Sequence, residues 1–286
     1  CCANGVYHRC PIDAKFTISN SVHAFERPGV WLLTGVELRQ VDIANRRAVG
    51  ALLRDQNGAE VRLRADTVAL GANAIFNAAI MLRSGMADPA LGRYLHEQTS
   101  QLIHLDVDHP NYFGGSSITG HCYGFYDGEH RATSGAVLVE NYNAPSALRT
   151  ERDRWTHRMA LKLIAEDIPD AENRVTLDAD GAPAITWNGH SAYGISGLDR
   201  AEEQMQSILP FTIEGIVHRE DSRTEAHIQG THRMGADPAT SVVNRTLRCH
   251  SVSGLFALGA GAFPTSSASN PTLTLSALSL MAGRSL

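Results

Sequence analysis

Two segments near the end of the chain hold the residue types that proton chemistry needs. Glu225-Ala-His-Ile-Gln-Gly-Thr-His-Arg-Met-Gly235 sets His227 on a loop broken by Gly230. Gly259-Ala-Gly-Ala-Phe-Pro-Thr-Ser-Ser-Ala-Ser-Asn-Pro-Thr-Leu-Thr274 sets Asn270 just before Pro271 and an apolar run to Met281. An imidazole titrates near neutrality and can take a proton from a hydroxyl. A carboxamide beside it can hold the same hydroxyl in place. Together the two segments read as a catalytic pair.

Each half also has a plainer reading. Asparagine is a favoured helix N-cap and proline suits the first helical position, so Asn270-Pro271 marks a helix start with or without chemistry. His227 and His232 are five apart with Gly230 between them, so they do not share a helix face as a zinc-binding H-E-x-x-H pair does. No metal site is expected. His232 is read as structural, and the other histidines are scattered without ligand spacing.

The elements that must position the pair can be read coarsely. Asp55-Gln-Asn-Gly58 separates two strand-like runs as a hairpin, and a helix over Ala72–Arg83 follows the buried strand Thr67–Leu70. Val175-Thr-Leu and Ala184-Ile-Thr-Trp flank a turn at Ala179-Asp-Gly181, and Ser196–Leu209 has helical spacing with a charged face. Trp155, Trp187 and Tyr123-Gly-Phe-Tyr126 are read as packing residues that could also line a substrate pocket. Gly71 either ends its strand or lets a cofactor approach closely.

Taken in order, His227-Ile-Gln-Gly-Thr231, Ser241-Val-Val243, Leu255-Phe256 and Asn270-Pro-Thr-Leu-Thr274 resemble the C-terminal signature of the glucose-methanol-choline (GMC) flavin oxidoreductases. The run Gly-Thr-His-Arg-Met-Gly looks closest to the pyranose oxidase and sugar dehydrogenase branches. Arg27–Leu38, Ala48–Leu53 and Thr67–Ile75 resemble later strands of the family's FAD domain. Asp167–Leu177 resembles its substrate-domain hairpin, and Cys10-Pro-Ile-Asp-Ala-Lys-Phe16 the gluconate and fructose dehydrogenase branch.

The resemblance implies an α/β chain (α+β overall), part of a Rossmann-like FAD-binding domain interrupted by an antiparallel-sheet substrate domain. Residues 1–95 and 216–286 would belong to the first and 96–215 to the second. It implies FAD-dependent oxidation of a sugar or polyol hydroxyl, with hydride transfer to flavin N5. His227 would be the base and Asn270 its partner, with cofactor contacts from Val36, Gly71, Ala260, Pro271 and Thr272. Gly259-Ala-Gly261 stands where many members read Asp-x-Ser, which removes one side-chain contact and leaves the backbone of Ala260.

No G-x-G-x-x-G occurs in the 286 residues. The pyrophosphate-binding β-α-β unit is therefore expected on an N-terminal segment or companion chain, and the chain reads as the second part of a longer enzyme. The alternative reading is a catalytically silent partner that keeps the fold as a scaffold.

Composition narrows the partners. A net charge of −5 with 19% charged residues gives no electrostatic case for nucleic acid or an anionic membrane surface. No apolar run reaches the roughly 18 residues that span a bilayer, so a soluble protein of unassigned compartment is expected. Five cysteines, an odd number, do not suggest a disulfide framework. Cys1, Cys2 and Cys10 lack the further cysteine an iron-sulfur cluster would use.

Overall fold

The computed structural model describes residues 16–110, 118–142 and 157–285. Cys1, Cys2, Cys10 and Trp155 lie outside them. The chain forms two compact units, and they do not follow chain order. Among described residues, one contains 16–34, most of 100–165 and 196–222; the other contains 35–99, 166–195 and 223–285.

The first unit is built on a five-stranded sheet in the order β11-β5-β8-β7-β6. Its strands are β5 (Thr99–Val107), β6 (Ile118–Phe125), β7 (Val137–Tyr142), β8 (Arg158–Ala165) and β11 (Ile213–Ser222). Alternate residues point to opposite faces. Ile103, Leu105 and Val107 therefore share one buried face with Met159, Leu161 and Leu163. Helix α2 (Ala192–Glu203) adds Leu198 and Ala201 to this core, and a 3-10 turn adds Met205. Arg158 and Asp106 form a buried bidentate pair, Nε to Oδ1 at 2.8 Å and Nη2 to Oδ2 at 3.0 Å.

The second unit begins with a three-stranded antiparallel sheet, β1 (Val36–Ala44), β2 (Arg47–Asp55) and β3 (Glu60–Arg64). The 55–58 turn closes as its sequence expects: the Asp55 carboxylate accepts from the amides of Asn57 and Ala59, both at 2.8 Å. The apolar stretch Val30–Leu33 lies outside β1, and Trp31 is 86% exposed. A strand needs a hydrogen-bonded neighbour, and no described strand pairs with these residues.

Next come β4 (Val68–Leu70), helix α1 (Asn73–Arg83) and, much later, β12 (Leu255–Ala257), which runs parallel to β4 in the register Leu255↔Val68 to Ala257↔Leu70. The Asn73 side chain caps α1, accepting from the amides of Ile75 (2.9 Å) and Phe76 (3.1 Å). Leu70, Ile80, Met81, Val243, Leu247 and Leu255 belong to the common core.

Segment 166–195 packs in this unit, although the sequence reading groups it with the substrate domain. Its hairpin, β9 (Arg174–Leu177) with β10 (Pro183–Thr186), is held by main-chain bonds. The Val175 amide donates to Gly92 and the Leu95 amide to Asn173, both at 2.8 Å. Chain order could not show this, because the pairing joins residues some eighty positions apart. The last element is α3 (Thr272–Gly283). No helix of the described residues is long and apolar enough to cross a membrane.

Candidate active site

Every candidate site residue lies in the second unit. His227 follows Ala226, whose φ of 57° is left-handed and unusual for a residue with a Cβ. Glu97 holds that turn. Its Oε1 accepts from the His227 amide at 3.0 Å, and its Oε2 accepts from the Thr224 hydroxyl at 2.9 Å. One residue on, Gln98 is fully buried. Its Oε1 lies 2.6 Å from His227 Nδ1, and its Nε2 donates to the carbonyls of Ser267 and Ser269, the latter at 3.0 Å. One amide thus links the His227 ring to the loop that ends at Asn270.

At Asn270 the two sequence readings separate. The cap position of α3 falls on Pro271, whose carbonyl accepts from the Leu275 amide at 3.0 Å. Asn270 precedes that position and is exposed. It borders a pocket of about 360 Å³ lined by Gln229, Met234, Phe263, Pro271 and Thr274 among others. The first amides of α3 have no intrahelical acceptors, so its N-terminus presents partial positive charge.

The glycine-bearing turns stand at the C-terminal ends of the parallel strands. Gly71 follows β4 and Gly259 follows β12, and a Cβ on either would meet no atom within 4 Å. Asn77, fully buried on α1, fixes both turns. It accepts from the Ala72 amide at 2.8 Å and donates to the Leu258 carbonyl at 2.9 Å. The Ala260 carbonyl accepts from the amides of Gly230 (3.3 Å) and Phe263 (3.0 Å). Val36 opens β1, paired with Asp55, and is partly exposed. Thr272 is exposed at the head of α3.

His232 lies beneath the 259–262 turn, completely buried. Burial pushes its pKa down to about 4, so the ring is neutral. Its amide donates to the Gly261 carbonyl at 3.1 Å. A pair with buried side chains, His190 and Asp167, lies in the same unit. His190 Nδ1 lies 2.7 Å from Asp167 Oδ2, and its Nε2 lies 2.8 Å from the Arg223 carbonyl. Both partners only accept, so the ring donates twice and is cationic.

Sequence reasoning missed Glu97, Gln98 and Asn77. The available signal was polarity: His96-Glu97-Gln98-Thr-Ser-Gln101 is a polar run, yet all six are buried. Buried polar groups must find partners, but only the structure shows which.

Comparisons with known proteins place the chain among relatives of similar sequence and fold. Residues 141–279 match the family model described as GMC oxidoreductase. Paromamine 6'-oxidase of Streptomyces fradiae is 28% identical, over 98% of this chain and 57% of its own length. C-glycoside 3-oxidase of Arthrobacter globiformis is 26% identical, over 84% of this chain and 50% of its own. Pyridoxine 4-oxidase from Mesorbium loti superposes with a TM-score of 0.70 at 17% identity, covering 90% of this chain and 59% of that one. The chain spans about half the length of the curated relatives it matches. In its mixed α/β architecture and in this matched region, the chain is similar to the C-terminal part of GMC oxidoreductases.

Proposed function

We propose that the chain supplies the alcohol-oxidising side of an FAD-dependent oxidoreductase that acts on a sugar or polyol hydroxyl. The observation that carries this reading is the Gln98 bridge, which fixes the His227 ring relative to the loop ending at Asn270. His227 takes the hydroxyl proton as the carbon is oxidised, and Asn270, one of the residues lining the pocket, orients that hydroxyl. The relatives named for oxidation of paromamine and of C-glycosides support a sugar-like substrate.

The residues present fit FAD. Open turns at Gly71 and Gly259 stand at the carboxyl ends of parallel strands, the place where ligands bind in open α/β sheets. The Ala260 amide would contact the cofactor, since its carbonyl is already engaged. Val36 would meet the adenine through its backbone, and the α3 amides from Pro271 and Thr272 onward would face the flavin. FAD, when bound, supplies the acceptor for the hydride.

The pyrophosphate-binding unit would come from an N-terminal segment or companion chain. The surface of α3 supports this: Leu273 is 83% and Leu280 59% exposed, and the helix buries only Ala282. A helix apolar on all sides is ordinarily enclosed. In this reading residues 35–95 and 223–286 belong to the FAD-binding domain and the five-stranded sheet to the substrate domain.

The test is rapid-mixing reduction of bound flavin by sugar. His227→Ala should bind flavin normally and be reduced about 10²–10⁴-fold more slowly. An unchanged rate would remove His227 from the reaction, and a flavin-free protein that no sugar reduces would favour the scaffold reading.

A further inference from the structure

We infer that Gln98 is a positioning residue that sets the tautomer of His227, placing the proton on Nδ1 and leaving Nε2 as the atom that receives the substrate proton. The inference deepens the proposed reaction and rests on His227 being its base.

The argument follows from which groups can donate. The carbonyls of Ser267 and Ser269 only accept, so the two N–H bonds of the Gln98 amide must face them. That orientation is enforced by chemistry, which settles the usual ambiguity between amide oxygen and nitrogen. Gln98 Oε1 is then turned toward His227 Nδ1 at 2.6 Å and has only lone pairs to offer. Nδ1 must therefore carry a hydrogen. In a neutral imidazole the other nitrogen is then an acceptor.

Two features make the setting rigid. Gln98 is fully buried, so water does not compete for its amide. The backbone on both sides is held by one carboxylate, since Glu97 Oε1 accepts from the amides of Gln98 and His227, each at 3.0 Å. Ring, tautomer and main chain are thereby fixed by two adjacent side chains. Neither touches substrate in this scheme. An imidazole without such a partner favours the opposite tautomer, with its proton on Nε2, which has no lone pair to take a proton there.

Nitrogen-15 NMR of histidine-labelled, flavin-loaded protein reads the tautomer directly, alongside flavin reduction. The native protein should show the Nδ1–H form at His227. Gln98→Leu should move His227 toward the Nε2–H form and slow reduction by about tenfold or more, with substrate affinity little changed. Gln98→Glu keeps an acceptor facing Nδ1 and adds a negative charge. It should retain the Nδ1–H form, recover part of the rate, and shift the acid limb of the rate profile to higher pH. An Nδ1–H form that persists in Gln98→Leu overturns the inference. A tautomer that shifts while reduction is unaffected supports the role of Gln98 and overturns His227 as base. Should Gln98→Leu fail to fold, Gln98→Glu decides alone: an acid limb that stays in place counts against the assignment.

Discussion

His232 occupies the space that a side chain on residue 261 would need: a Cβ built on Gly261 would lie 1.9 Å from His232 Cε1. The turn that presents Ala260 therefore rests directly on a buried ring. Gly261→Ala should force the turn or the ring to move and destabilise the protein by about 1–3 kcal/mol. Flavin affinity should fall with it, and His232→Ala in the same chain should restore part of both. Urea unfolding and flavin titration of the single and double variants would show this, and unaltered flavin affinity in Gly261→Ala would separate the turn from the cofactor.

Stability should fall on both sides of neutrality, for two different histidines. His232 has its pKa lowered to about 4 by burial. The unfolded chain therefore binds a proton that the folded chain refuses, and stability is lost as pH falls from about 6.5 toward 4, by on the order of 3 kcal/mol. At His190 burial opposes the charge, but the hydrogen bonds to Asp167 and to the Arg223 carbonyl outweigh it and raise the pKa. That contribution is complete below about 6.5 and is lost as pH rises through the raised value. Urea midpoints measured across pH should show both limbs. His190→Gln should flatten the alkaline one, and His232→Gln the acid one.

Capping and chemistry can be separated at Asn270. Because the cap position is Pro271, Asn270→Asp should leave the melting temperature within a few degrees. Turnover should drop, since a carboxylate in the pocket lining alters the hydrogen bonds offered to an alcohol. Full turnover in Asn270→Asp, with Asn270→Ala lowering only the melting temperature, would return the residue to a structural role.

The Arg158–Asp106 pair should be essential to its sheet. Both partners are nearly buried, and removing one strands the other's charge. Arg158→Met is expected to cost about 3–5 kcal/mol, and Arg158→Met with Asp106→Leu considerably less. Chemical denaturation of the two variants gives the comparison; equal losses would show that the pair is not coupled.

Hydrogen exchange should find α3 weakly protected when this chain stands alone, since it buries only Ala282. Co-expression with a segment bearing G-x-G-x-x-G should slow exchange along α3 and yield a yellow complex. Tight FAD binding by the isolated chain with α3 still exchanging freely would mean the cofactor site is assembled otherwise.

Much of this was legible in the residues. The hairpin at 55–58, the helix after Gly71 and the β9-β10 turn follow from local chemistry, because an Asp or Asn side chain and a glycine of permissive φ shape a turn from within it. His227 and Asn270 stood out through residue type and the ordered motifs around them, which also carry the family resemblance. What no local pattern contains is partnership across sequence distance. Gln98 reaches His227 and Ser269 from more than a hundred residues away, Asn77 joins the Gly71 turn to Leu258, and hairpin 174–186 packs beside 92–95. Buried polar groups must be satisfied, so the sequence determined that such residues would have partners, and the tertiary structure alone decided which ones.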